Sequence, residues 1–128
     1  MASHVVGIDI VEVPRIRRVL ERWGERFLNR IYTTQEIAYC RGRAPQLASR
    51  FAAKEAVMKA LGTGIRGVGW REVEVLRQRG RAPALQLHGR AQSRARALGI
   101  TELALSLTHS DHYALASVVG AVEETRRP

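Results

Sequence analysis

Residues 50–64, Arg-Phe-Ala-Ala-Lys-Glu-Ala-Val-Met-Lys-Ala-Leu-Gly-Thr-Gly, read as a helix that ends in glycines. At about 100° per residue, Glu55 and Lys59 project between Leu47, Ala48, Phe51 and Ala52, whereas Arg50 and Lys54 point elsewhere. Charge set among apolar and small residues is costly unless it is paired. One account pairs Glu55 with Lys59 at i, i+4, in the favourable order, for about 0.2–0.5 kcal/mol. A second unusual carboxylate supports a different account.

That carboxylate is Asp9, in His4-Val5-Val6-Gly7-Ile8-Asp9-Ile10-Val11-Glu12-Val13. The β-branched run reads as a strand. Alternation puts Val5, Gly7, Asp9 and Val11 on one face and Val6, Ile8, Ile10 and Glu12 on the other. Asp is depleted in strands, and this one has apolar neighbours on its own face. Gly7 leaves room for something to approach the backbone. A lone Asp here would be read as bonding a nearby loop. An Asp on a strand and a Glu on a helix, both embedded in apolar sequence, point to two carboxylates around a hard cation. Magnesium fits, because it takes one or two carboxylates, several waters and substrate phosphate oxygens.

The rest of the chain supplies a scaffold. Pro14 suits the first position of a helix whose apolar face is Ile16, Val19, Leu20 and Trp23. Gly24 breaks or bends it, and Phe27, Leu28 and Ile31 continue an apolar side. Thr33 with Glu36 is a capping-box pattern that starts a short helix toward Cys40. A loop is expected over residues 41–45, the long helix over 46–61, and a flexible connection through Gly62, Gly64, Gly67 and Gly69. Strands are expected near 73–77 and 84–88, a basic helix at 89–98, a closing hairpin from 103–109 and 113–122, and a polar tail of six residues. This order predicts one α+β domain over residues 1–128, with a mostly antiparallel sheet packed against the long helix.

Composition agrees. A chain of 128 residues that is 45% hydrophobic is long and apolar enough for one folded core. No apolar run approaches the ~20 residues needed to cross a bilayer, and no secretory-signal pattern opens the sequence. The single Cys40 makes no internal disulfide; it is read as structural and suits a reducing cytoplasm. His4, His88 and His112 show no metal-ligand spacing.

The net charge of +9 implies an anionic partner or substrate. Arg15, Arg18, Arg22 and Arg26 recur at three- and four-residue steps and share one broad helical side. That side is either solvated or a docking stripe for an acidic protein. Nucleic-acid phosphates are a third possible partner. Against them, aromatic residues are only 5%, no nucleic-acid-binding motif occurs, and Asp9 with Glu55 repels phosphate unless a metal intervenes.

Gly7-Ile8-Asp9-Ile10-Val11-Glu12, followed by Arg50-Phe51-Ala52-Ala53-Lys54-Glu55-Ala56 with Lys59 and Gly62-Thr63-Gly64, resembles the holo-[acyl-carrier-protein] synthases. These are the small, single-domain type of 4′-phosphopantetheinyl transferase. Gly80-Arg81-Ala82-Pro83 is similar to that family's Gly-x-x-Pro turn, and Ser106-Leu107-Thr108-His109 to its Ser-x-Thr-His strand end. The motifs follow in order over residues 5–120. The resemblance implies a homotrimer with active sites at subunit boundaries, and an acyl carrier protein docked on the arginine-bearing helix. It implies transfer of 4′-phosphopantetheine from coenzyme A to a carrier-protein serine, with release of adenosine 3′,5′-bisphosphate, in fatty-acid or polyketide synthesis.

On that reading Asp9 and Glu55 hold magnesium on the pyrophosphate, and Lys59 neutralises it or assists the leaving group. The base that takes the serine proton is Glu55 or a water on the metal. Arg50 is placed to meet a phosphate, and the resemblance puts His109 near the 3′-phosphate end of the adenosine. Thr108 goes with it. Gly62 and Gly64 let backbone amides approach a phosphate, although a helix cap needs no ligand. Phe51 and Pro83 pack, or border the adenine. Two rivals remain, a basic nucleic-acid-binding domain and a silent scaffold that binds carrier protein.

Overall fold

The structure is a computed structural model, and it describes residues 2–123. Residues 124–128, most of the expected polar tail, lie outside the described residues. Strand β1 spans Ala2–Glu12 and passes directly into helix α1, Val13–Trp23, with Pro14 in its first turn. Gly24, at φ +53°, separates α1 from α2, Glu25–Ile31. Helix α3, Thr34–Cys40, opens with the expected capping box between Thr33 and Glu36.

The long helix α4 is Ala44–Leu61, one half-turn longer than expected. Ala44 and Pro45, expected in a loop, form its first turn, where a missing N–H costs no hydrogen bond. Gly62 ends it at φ +72°, with its amide returned to the Lys59 and Met58 carbonyls. The glycine connection is not wholly irregular. It holds a short helix α5, Gly64–Gly67, and a 3₁₀ turn, Trp70–Glu72. Then come β2, Val73–Leu76; β3, Ala84–Leu87; α6, Gly89–Ala97; β4, Ile100–His109; and β5, Tyr113–Glu123.

The strands form two antiparallel sheets. One has the order β1-β5-β4; the other is the β2–β3 pair. The fold is α+β, as expected. β1 runs beside β5 without a break in register, Asp9 opposite Ala116 and Gly7 opposite Val118. Helix α4 lies across this sheet. Val11, Ala116 and Val118 meet it from below, with Val57, Ala56 and Leu61 from above, in the continuous core.

The space beside Gly7 is filled by this helix. A Cβ at position 7 would overlap the Ala56 carbonyl and come within 3.1 Å of the Ala60 amide nitrogen. Only a residue without a side chain admits so close a backbone. Gly7 therefore sets how closely Glu55 and Lys59 approach β1.

Helix α4 meets solvent chiefly along the narrow stripe of Phe51, Glu55 and Lys59. Ser49, Arg50 and Lys54 are buried along with its apolar residues. The sheet covers one flank, and α3 with β2 covers another, so polar residues on each flank must find partners inside the protein. The opposite face of β1 is bare. Val6, Ile8 and Ile10 are 57–67% exposed, and Val119 beside Val6 on β5 is also exposed.

Candidate active site

Asp9 points from the middle of β1 toward α4, as alternation requires, and its backbone is fixed by the β5 ladder. One turn apart on α4, Glu55 and Lys59 meet it. The Lys59 ammonium donates to Asp9 Oδ1 at 2.8 Å and to the Ile8 carbonyl at 2.9 Å. The i, i+4 account of Glu55 and Lys59 is thereby replaced, since the lysine's hydrogen-bonded partner lies fifty residues away in sequence.

The two carboxylates crowd one another. Burial, then the charge of Asp9 and a hydrogen bond with it, push the Glu55 carboxyl from 4.5 up to about 7. Lys59 and, least, the charge of Arg15 on α1 pull the other way. The Asp9 hydrogen bond in turn raises Lys59 above its ordinary value. Two acids this close, one of them near neutrality, form a site that a cation would relieve.

Among the described residues no group of three or more His, Cys, Asp or Glu side chains comes together. A zinc site built wholly of protein ligands is therefore not formed by them. The donor set does fit magnesium, which needs only hard oxygens from one or two carboxylates beside water and phosphate.

Gly62 and Gly64 lie at the same place. With Glu55, Met58, Lys59 and Ile65 they line an open cavity of about 210 Å³ at the end of α4. The structure thus gathers Asp9, Glu55, Lys59, Gly62 and Gly64.

It puts the other expected residues elsewhere. Arg50 is buried on the far flank of α4, where its guanidinium lies 4.5 Å from the centre of the Tyr39 ring and donates to Ser49 Oγ. Arg43 and Arg77 approach the same ring at 5.4 and 5.1 Å. Arg50, Tyr39 and Arg77 also line a cavity of about 190 Å³. Phe51 stacks on Trp70, ring centres 4.8 Å apart. Pro83 sits in the turn just before β3.

Thr108 and His109 are on β4, which β5 separates from β1. Strand spacing alone puts them about 10 Å from β1. Thr108 lies in the row of Leu115 and Ile10, on the face turned away from α4. Within one chain they do not join Asp9 and Glu55.

Arg15, Arg18, Arg22 and Arg26 are all exposed. Arg22 and Arg26 flank the half-exposed Trp23 ring, at 5.2 and 5.8 Å from its centre. The sequence reading missed Tyr39, Arg43 and Arg77. Tyr39 and Arg43 are four residues apart at the α3–α4 junction, but Arg77 follows β2 and no local pattern joins it to them.

The sequence profile of the 4′-phosphopantetheinyl transferase superfamily matches residues 5–117. A holo-[acyl-carrier-protein] synthase of Koribacter versatilis is 52% identical over 88% of this chain and 94% of its own length. One from Herpetosiphon aurantiacus is 47% identical over 91% and 97%. The chain belongs to the holo-[acyl-carrier-protein] synthases, within the 4′-phosphopantetheinyl transferase superfamily. The Helicobacter pylori holo-[acyl-carrier-protein] synthase in complex with coenzyme A superposes with a TM-score of 0.82. It is 31% identical and covers 90% of this chain and 98% of its own. Members of this family are transferases, and the fold described above is theirs. Among the described residues no helix is long and apolar enough to cross a membrane.

Proposed function

We propose that this chain, folded as one domain over residues 1–128, moves 4′-phosphopantetheine from coenzyme A to the serine of an apo acyl carrier protein. The acceptor is a carrier of fatty-acid or polyketide synthesis, and the reaction takes place in the cytoplasm. The observation that carries the reading is the convergence of Asp9, Glu55 and Lys59 at the glycine-capped end of α4.

The serine oxygen attacks the phosphorus that bears the pantetheine arm. The bond from that phosphorus to the bridging oxygen breaks, and adenosine 3′,5′-bisphosphate leaves. Such a transfer asks for positioning and charge neutralisation more than for covalent catalysis. Asp9 and Glu55 would hold magnesium, which when bound supplies charge neutralisation to the diphosphate. Lys59, half-exposed beside them, faces the leaving phosphate with its ammonium. Glu55, or a water held in the site, takes the serine proton. The amides about Gly62 and Gly64 approach the diphosphate where a side chain would obstruct.

The bare face with Val6, Ile8, Ile10 and Val119 supports a homotrimer, since such an apolar patch on a small protein marks an interface. In that assembly Thr108 and His109 would reach the site of a neighbouring copy. Arg50 with its cationic neighbours, Phe51 and Pro83 would serve the adenosine end of coenzyme A. Arg15, whose charge is felt at Glu55, begins a stripe with Arg18, Arg22 and Arg26 that would hold the acidic face of the carrier.

Mass spectrometry of an apo carrier protein incubated with this protein, coenzyme A and magnesium tests the reading. The expected result is one phosphopantetheine on the carrier's serine, formed far more slowly with Glu55→Gln. Loading that is undiminished in both Glu55→Gln and Asp9→Asn would remove the assignment.

A further inference from the structure

The two bonds made by Lys59 restrict how Asp9 can be used. One Asp9 oxygen is already held by the ammonium at 2.8 Å, and the same ammonium is tied to the Ile8 carbonyl at 2.9 Å. Asp9 cannot turn away from it by shifting its backbone, because that backbone is paired with Ala116 in the middle of an unbroken ladder. Lys59 has the opposite freedom. Its side chain is 56% exposed while that of Asp9 is 13% exposed, so the lysine can swing outward without disturbing the core. An ammonium has three donors, and two are spent here on the chain itself.

We infer that Lys59 is a built-in competitor for the cation that Asp9 and Glu55 bind, and that a diphosphate removes the competition by drawing the lysine off Asp9. The inference rests on the reading of Asp9 and Glu55 as metal ligands. A dication held by those carboxylates would compete with the Lys59 ammonium for Asp9. A diphosphate offers the ammonium a new set of oxygens, so its arrival frees Asp9. Metal and coenzyme A therefore favour each other on this protein beyond any direct contact between them. By linkage the effect is reciprocal. Lys59 is thus a positioning residue for the metal as well as a charge for the phosphate.

Binding without turnover tests this. Free Mn²⁺ is measured by electron paramagnetic resonance in titrations of the whole protein, with no carrier protein present. Lys59→Met should bind Mn²⁺ about tenfold more tightly than the unaltered chain, the order expected from one unit charge a few ångströms away in a half-exposed site. Lys59→Arg, which keeps the charge, should stay near the unaltered affinity. Adding coenzyme A should tighten Mn²⁺ binding more in the unaltered chain than in Lys59→Met.

Equal or weaker Mn²⁺ binding by Lys59→Met, with binding still abolished by Glu55→Gln, overturns the competition and leaves the metal ligands standing. Mn²⁺ binding that survives both Glu55→Gln and Asp9→Asn overturns the metal reading beneath it. Far-ultraviolet circular dichroism and thermal unfolding check that each variant is folded.

Discussion

Helix α4 carries the only two lysines in a chain whose other nineteen basic residues, of 21, are arginines. Each pairs with a carboxylate from another element, yet the two pairs are unlike. Lys54 and Glu36 are both fully buried. The Lys54 ammonium donates to Glu36 Oε1 at 2.8 Å and to the Trp70 and Val73 carbonyls, so all its donors are used. Glu36 accepts as well from the Thr33 and Val75 amides. Every group has a partner, and the cluster ties α3, α4 and β2 together. Five residues along, the exposed Lys59 is bonded to the largely buried Asp9, and Glu55 crowds that same carboxylate, so the cluster is partnered but not closed. A closed polar network holds structure, whereas an open one with crowded like charges is poised to receive something.

The sharpest way to break this comparison is to remove one member of the closed pair. Lys54→Met keeps the chain's length and deletes the charge, leaving Glu36 buried without its cation. The expected loss is about 3–5 kcal/mol of stability, measured as a shift in urea unfolding. Adding Glu36→Gln should recover part of it, because the orphaned charge is then gone. A Lys54→Met protein as stable as the unaltered chain would mean that the buried pair is ornamental.

In the open cluster the losses are exchanged. Glu55→Gln should lower the rate of carrier loading by about 10²–10³-fold, the range seen when one group that stabilises developing charge is deleted. Its urea midpoint should hold or rise, because the variant relieves the crowding of two acids. A variant that lost stability and rate together would place Glu55 with the structural pair.

How much of this was legible in the sequence follows from the range of each interaction. The alternation of Val5, Gly7, Asp9 and Val11 and the helical run to Gly62 are local patterns, and both elements formed where they were expected. The Thr33–Glu36 box spans four residues and was equally readable. What escaped depends on the fold being closed. The hydrogen-bonded partner of Lys59 proved to be Asp9 and not the neighbouring Glu55, because only the β1–α4 contact through Gly7 brings Asp9 within reach. The Glu36–Lys54 pair and the guanidiniums of Arg50 and Arg77 at Tyr39 join separate parts of the chain in the same way. Even Gly7 was read only halfway, as space for an approach but not as space for the helix itself.

The arginines of α1 sharpen the comparison from outside the cluster. Arg15 touches the electrostatics of Glu55, while Arg22 lies further along the helix against Trp23. Arg15→Glu with Arg22→Glu should raise the apparent KM for carrier protein by about tenfold, about 1.4 kcal/mol. The KM for coenzyme A should change much less, and added salt should narrow the gap between variant and unaltered chain, since exposed charges are screened. Equal rises in both KM values would assign these arginines to coenzyme A instead of a docking face.

The smallest effect expected is in the pH dependence of stability. The folded chain holds the Glu55 proton more tightly than the unfolded chain does, with the carboxyl near 7 in one and near 4.5 in the other. The folded state therefore binds more protons between those values. The stabilisation from protonated Glu55 is fully present below about 4.5 and is lost as pH rises through about 7. Glu55→Gln cannot titrate, so the difference in urea midpoint between the two proteins should drift across that window and level off on either side. Other titrating groups largely cancel in the difference. Because Glu55 is only half-buried, the drift should be modest. A flat difference from pH 4.5 to 7.5 would mean that neither burial nor Asp9 raises the Glu55 carboxyl in solution, and the contrast between the open cluster and the closed one would then reduce to exposure alone.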